Sequence, residues 1–291
     1  MTWHARLQLD YSHHQPPLGP PGDGPFDPPS PLAGRTSLHF EHDGPLRVLQ
    51  SLYPEGPAVC HNVLVHPPGG LVGGDTLDIQ VSVGPHAHAF ISTPGATRFY
   101  KSATEWATQH TQLTLAENTR LEWFPLEALA YPGCKGRNQL HLELAAGAQC
   151  MGWDITALGL PASGQPFDHG VLEQRLTWPG HWLERACIDA TDTRLLQSPV
   201  GLNGQRCLGT FWLANGSPWA AGQLAQLLEA VQNHLPADMA IGATCPNPQL
   251  LVVRALAPVV EPVLHAFQGV WETLRPLAWG LAPQRPRIWG V

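Results

Sequence analysis

Residues 77–91 read Leu-Asp-Ile-Gln-Val-Ser-Val-Gly-Pro-His-Ala-His-Ala-Phe-Ile. Leu77, Ile79, Val81 and Val83 alternate with Asp78, Gln80 and Ser82, the two-residue period of a strand with one buried face. Gly84-Pro85 interrupts it as a turn, and Ala87, Ala89 and Ile91 take up the alternation again. The same phrase returns downstream. Leu113 and Leu115 lead into a turn at Glu117-Asn118-Thr119 and on to Leu121 and Trp123. Leu140, Leu142 and Leu144 lead into a turn at Gly147, with Cys150 and Trp153 beyond. Strand, short turn, strand at a spacing of about thirty residues predicts stacked β units. The expected fold is mainly β, a layered, helically wound sheet architecture without a closed barrel.

Working outward, Trp3, Ala5, Leu7 and Leu9 alternate as a first strand. Residues 13–34 (HHQPPLGPPGDGPFDPPSPLAG) are dominated by Pro and Gly and read as a flexible surface insertion in a single domain spanning 1–291. Helical periodicity is confined to the C-terminal third, where two α-helices are expected. Ser217 can cap the first, with Pro218 at its first position. Leu224, Leu227, Leu228, Val231 and Leu235 then share one face. The second, from about 259 to 275, aligns Val260, Val263, Leu264, Phe267, Trp271 and Leu274, and Pro276 is expected to end it.

The chain has 291 residues, long enough for a sizeable core, with 43% hydrophobic but only 13% charged residues and a net charge of −7. Lys101 and Lys135 are its only lysines, so the clustered basic surface of a nucleic-acid binder is missing. No apolar run of about eighteen residues predicts a membrane span. The beginning of the chain lacks a basic segment followed by an apolar one, so the expectation is a cytoplasmic protein. Cys60, Cys134, Cys150, Cys187, Cys207 and Cys245 never occur as CxxC and read as buried small hydrophobes. There are fifteen histidines. His86 and His88 would share a face if both lay on a strand, and could offer two imidazoles to nickel, zinc or copper; the alternative is two solvated positions.

Enzyme signatures fail one by one. Gly69-Gly70-Leu71-Val72-Gly73-Gly74-Asp75 has the length of a phosphate loop, but Asp75 stands where Lys is needed and would repel phosphate oxygens. Ser163 lacks the glycine flanks of a nucleophile elbow. The next acid after His86 and His88 is Glu105, too distant for a cupin pattern, and HExxH is absent. What remains is a set of carboxylates in apolar surroundings: Asp75, Glu122, Glu127, Asp154 and Glu184. Ionised carboxylates in an interior need partners or water. A water-filled passage lined with such groups would satisfy them and present weak, successive sites to a cation; solvated strand faces are the simpler alternative.

Several longer phrases carry a resemblance. They are HPPGGLVGGDTLDIQVSVG from 66, STPGATRFYKS from 92, LEWFPLEAL from 121, GWDITALGLPASG from 152 with Phe167, and PRIWG from 286. Together with the Trp3-Ala5-Leu7-Leu9 start, they closely resemble the urease accessory protein UreD (UreH) family from about residue 3 to the end. The resemblance implies a non-enzymatic maturation scaffold with an almost all-β fold. Such a scaffold binds apo-urease and UreF, which recruits the GTPase UreG, and passes nickel through a channel without holding a tight cofactor. It implies channel-lining roles for Asp75, Thr97, Asp154 and Glu184. Gly73, Gly74, Arg98, Tyr100, Lys101, Glu122 and Glu127 fall in its motifs as interface or structural positions. Arg98 stands where Lys is commoner and Lys101 where Arg is commoner. Leu126 and Ala128 replace an amide and a hydroxyl, Pro132 an acid, and Leu160 and Gln165 an Arg and a Glu. A metal-dependent β-fold enzyme built on His86 and His88, or a histidine-rich nickel store, are the competing classes. Asp75→Ala and Asp154→Ala are both expected to spare assembly and reduce nickel delivery.

Overall fold

The computed structural model describes residues 2–15 and 34–290. In chain order the first strands are β1 (His4–His14), β2 (Arg35–Asp43), β3 (Arg47–Val48), β4 (Val59–Val65), β5 (Thr76–Val83) and β6 (His88–Ser92). There follow β7 (Thr97–Phe99), β8 (Ala107–Leu115), β9 (Arg120–Phe124), β10 (Ala128–Ala130), β11 (Lys135–Leu144) and β12 (Gln149–Leu158). Then come β13 (Val171–Trp178), β14 (Trp182–Asp189), the short helix α1 (Thr193–Gln197) and β15 (Cys207–Asn215). The helix α2 (Ala221–His234), β16 (Ala240–Asn247), β17 (Leu250–Ala257) and α3 (Val260–Trp279) complete the order. The protein is mainly β, 48% strand and 17% helix.

The strands form two sheets, one in the order β14-β13-β11-β8-β5-β1-β2 and the other β16-β17-β15-β12-β9-β6-β4-β3, with β10 and β7 appended beside β12. From β4 to β13 the chain passes repeatedly between the sheets, so each coil leaves a parallel strand in both. Thr76 pairs with Thr108 and His88 with Arg120, roughly thirty residues further on. The corners stack as well. His86, Asn118 and Gly147 each take positive φ (62°, 55° and 71°), and the amides of His86 and Asn118 donate to the carbonyls of Glu117 and Ala146 in the next corner. A β-carbon on Gly147 would lie 2.3 Å from Asn118 Oδ1, which accounts for glycine there. The recurring phrase is therefore the coil of a wound, layered structure.

This geometry corrects the histidine pair. His86 sits exposed at a corner in the left-handed region, whereas His88 opens β6 and is buried. They share no strand face. The Pro/Gly-rich reading needs a boundary change: His13 and His14 still belong to β1, pairing with Thr36 and Arg35, and residues 16–33 lie outside the described residues. Four cysteines are buried as expected, but Cys187 is exposed on the outward side of β14 and Cys245 is partly exposed; all six are free.

Both helices predicted in the C-terminal third are present and cover the outer face of the second sheet. The fold is thus three layers with two cores. Leu9, Val81, Leu113, Leu121, Leu142 and Cys150 pack between the sheets. Phe90, Phe124, Trp153, Phe211, Phe267 and Trp271 pack between the second sheet and the helices. All five residues of β6 are buried because each of its faces meets a core. The helix ends differ from expectation. Ala220 is the N-cap of α2, without a side-chain bond, because the Ser217 hydroxyl instead accepts from the amide of Gly147. Pro276 lies inside α3, which runs on to Trp279 and ends at Gly280 with φ 68°. The last turn survives the proline because Trp279 is packed: its indole meets His88 edge-on at 5.3 Å and donates to Gln149 Oε1.

An ion cluster fastens α3 to the sheet. Glu122 points from β9 into the helix-side core and is fully buried, as is Arg275. Arg275 Nε lies 3.2 Å from Glu122 Oε2, and its Nη2 lies 2.6 Å from Glu55 Oε2. His88 Nε2 is 2.8 Å from Glu122 Oε1, Trp271 donates its indole N–H to Glu122 Oε2 at 2.5 Å, and His61 Nε2 meets Glu55 Oε1 at 2.7 Å. Burial alone would raise the Glu122 carboxyl. The His88 hydrogen bond and the Arg275 charge, helped by the Trp271 indole, hold it down to about 2. Burial likewise keeps His88 low, partly offset by Glu122.

Glu122 is accordingly a structural anchor. Replacing it with Ala leaves Arg275 short of a partner in the core and should cost about 3 kcal/mol or more in a urea unfolding titration. Its folded carboxyl lies below the ordinary value, so its contribution is intact above the unfolded value of 4.5 and is lost as pH falls toward about 2. Stability measured from pH 7 to 3 should drop below about pH 4.5 in the native chain and less steeply in Glu122→Gln.

Candidate functional site

Period-two phase sends alternate residues of the first sheet inward. On β8 these are Ala107, Gln109, Thr111, Leu113 and Leu115, on β11 Gly136, Asn138, Leu140 and Leu142, and on β13 Leu172, Gln174, Leu176 and Trp178. Parallel register sets Gln109 beside Asn138 and Asn138 beside Gln174. Three amides thus cross three neighbouring strands inside a mostly apolar interlayer.

They join side chains from the second sheet into one polar thread. Thr97 Oγ1 on β7 donates to Gln109 Oε1 at 3.2 Å, and Gln109 Nε2 donates to Asn138 Oδ1 at 3.4 Å. Asn138 Nδ2 donates to Asp154 Oδ2 at 2.8 Å. Gln174 Nε2 donates to Asp154 Oδ1 and to Thr156 Oγ1, each at 2.7 Å. Beyond Asp154 lies a recess of about 50 Å³ lined by Asp154, Gln174, Leu176, Glu184, Ala186, Leu208 and Thr210, enough for a water or a partly stripped ion. Glu184 closes the series, accepting from Thr210 Oγ1 at 3.2 Å and held by Arg254. Among the described residues Asp154 has no cationic partner. Burial, then the nearby Glu184 charge, raises its carboxyl to about 6 against the pull of the Thr156, Asn138 and Gln174 hydrogen bonds.

Thr97, Asp154 and Glu184 are therefore brought together; Asp75 is not. Its carboxylate is buried and accepts from the amides of Val72 at 3.0 Å and Trp3 at 3.4 Å. It ties the Gly-rich loop to the start of β1. The thread stops short of it, because the register neighbour of Gln109 on β5 is Leu77.

The other motif residues surround that loop or stand apart. Arg98 Nη1 donates to Gly69 O at 3.4 Å. Tyr100 packs on Tyr131 at 4.8 Å and fills the space a β-carbon on Gly70 would need. A β-carbon on Gly73 would fall 2.0 Å from Ser102 Oγ, and Gly74 takes φ 91°. Lys101 is exposed and bridges to Cys134. Glu127 is half-buried and helps raise the Cys207 thiol, which burial chiefly pushes up to about 12. Glu122 faces the other core. Ala128 pairs with both Thr97 and Thr156 in the sheet and so borders the thread. Leu160 and Gln165 bridge to one another, and Leu126 donates its amide to Thr93. Pro132 precedes Gly133 in the turn after β10.

Gln109, Asn138, Gln174, Thr156, Thr210 and Arg254 were not singled out from sequence. Amides in the inward phase of three successive strands are the signal that identifies the first three. Among the described residues no group of three or more His, Cys, Asp or Glu side chains could hold a metal ion, and no helix is long and apolar enough to cross a membrane.

A family model described as UreD urease accessory protein matches residues 31–290. The chain is 51% identical to the urease accessory protein UreD of Paracidovorax citrulli and 48% identical to that of Variovorax paradoxus, over the full length of both proteins in each case. It is 50% identical to that of Leptothrix cholodnii over 99% of each chain. With the family model covering most of the sequence and full-length relatives at about half identity, the chain belongs to the UreD family of urease accessory proteins and has a role in urease maturation.

Proposed function

We propose that the protein is a cytoplasmic, non-catalytic scaffold that binds apo-urease and the UreF–UreG complex and hands nickel to urease through its interlayer. The observation that supports this most is the thread from Thr97 through Asp154 to Glu184, a line of oxygen ligands in a mostly apolar core. Carboxylate, amide and hydroxyl oxygens are weak ligands for a borderline ion, and a transit path needs sites an ion can leave. Nickel is cargo here, and no tightly bound cofactor is needed. The low charged fraction of 13% suits a molecule whose surface is covered by partners.

The test is co-purification with apo-urease and the other accessory proteins, followed by nickel counting. Asp154→Asn keeps the Asn138 and Gln174 contacts nearly isosteric but removes the charge. The complex should assemble, and nickel loaded per urease at limiting metal should fall several-fold; normal loading would eliminate the proposed path. Because the Asp154 carboxyl lies at about 6, it is protonated at lower pH and cannot attract the cation there. Loading by the native protein should therefore fall between pH 7 and 5.5, with Asp154→Asn already low and flatter across that range.

Asp75→Ala should behave differently from the original expectation. It strips an acceptor from the amide of Val72 in the Gly-rich loop and that of Trp3 before β1, and costs about 1 kcal/mol. The yield of complex should drop while nickel per assembled complex stays constant. A nickel deficit at unchanged yield would return Asp75 to the path.

A further inference from the structure

The first sheet ends at β14, while the second runs on past β15 through β17 and β16. At this overhang the interlayer opens, and there the last carboxylate of the thread is already occupied. Arg254 Nε donates to Glu184 Oε1 at 3.0 Å and its Nη2 donates to Oε2 at 3.1 Å. Register fixes the arrangement. Thr210 on β15 pairs with Asp154 on β12 and with Arg254 on β17, so the three stand in one row across the sheet. Glu184 reaches this row from the opposite sheet and bonds both Thr210 and Arg254. The Arg254 side chain is 52% exposed and that of Glu184 28% exposed.

We propose that Arg254 is the gate of the transit path, closing the recess while its guanidinium grips Glu184 and opening it when that grip is released. The inference rests on the transit reading above and assigns it a residue that reading does not need. In the closed state one positive charge sits on Glu184 at the rim of the recess and repels an arriving divalent ion. With the guanidinium turned into solvent, Glu184 faces Asp154 across the recess, with the Thr210 hydroxyl alongside, as a two-carboxylate station. The grip suits a gate because it lies at the rim, where water competes with the pair and holds it weakly closed. Arg275 makes the contrast: it is completely buried between Glu55 and Glu122 and has no solvent to swing into.

The experiment titrates the full chain with Ni²⁺ alone and then loads apo-urease in the assembled complex. Removing the positive charge in Arg254→Gln should tighten Ni²⁺ binding about tenfold, and adding Glu184→Gln should erase the gain. Arg254→Lys keeps the charge but loses the two-pronged grip, and should tighten binding only a few-fold; it also serves as the informative variant should Arg254→Gln fold poorly. Unchanged Ni²⁺ affinity in a folded Arg254 variant overturns the gate. If Asp154→Asn still lowers nickel loading in that case, the path stands without a gate. If Asp154→Asn also loads urease normally, the transit reading itself is what failed.

Discussion

A carboxylate between two packed sheets must be given hydrogen-bond donors, and the interlayer is arranged around meeting that need for Asp154. Left bare, a buried ionised carboxylate costs several kcal/mol. Here Asn138 and Gln174 each donate to one of its oxygens at 2.8 and 2.7 Å. A wound parallel architecture makes such donors easy to place, because equivalent inward positions of successive coils fall side by side. Gln109, Asn138 and Gln174 are neighbours for that reason alone. The amides compensate only in part: the carboxyl still rises to about 6, and the group remains poised between its two protonation states.

Two acids of the second sheet differ in the partners they meet. Glu122 and Asp154 come from nearby strands but face opposite cores. Glu122 meets Arg275, His88 and the Trp271 indole, and is held down to about 2 as a fixed charge that binds α3 to the sheet. Asp154 meets only neutral donors and faces a small recess. An arginine beside a carboxylate locks it; amides beside one leave it able to accept a cation. Glu122 is fully buried and Asp154 partly so, and a cationic partner is present at the first and missing at the second among the described residues.

Much of the fold is legible in the sequence because period-two phase and turn residues act locally. The alternation at Leu77 to Val83, the thirty-residue phrase and the two amphipathic stripes all correspond to real elements. What local pattern could not show depends on packing at a distance. Pro276 reads as a stop, yet Trp279 is anchored on Gln149 and His88 and draws the helix one turn further. His86 and His88 read as one face, yet the corner hydrogen bond to Glu117 turns His86 away. Of the candidate site, Asp154 and Glu184 stand out in the sequence as carboxylates in apolar surroundings and Thr97 only through family resemblance, while Asp75, grouped with them, ties a loop. The three amides were visible in principle, since each occupies the apolar phase of its strand. They carry no charge, the feature that marks the carboxylates in the sequence.

That neutrality bears on how such a path can work in a protein with fifteen histidines. Imidazole binds nickel tightly enough to hold it, and a relay that holds its cargo stops. No histidine takes part in the thread. His88, the most deeply buried, spends its Nε2 on Glu122, and His61 spends its own on Glu55. The thread instead spaces two carboxylates along a row of amides and hydroxyls, one of them neutralised by a half-exposed arginine. Ala128 lies between Thr97 and Thr156 without a side-chain hydrogen-bonding group, and Gln109 and Asn138 link Thr97 to Asp154. In this chain the first sheet therefore carries the connection, through the inward amides of β8 and β11.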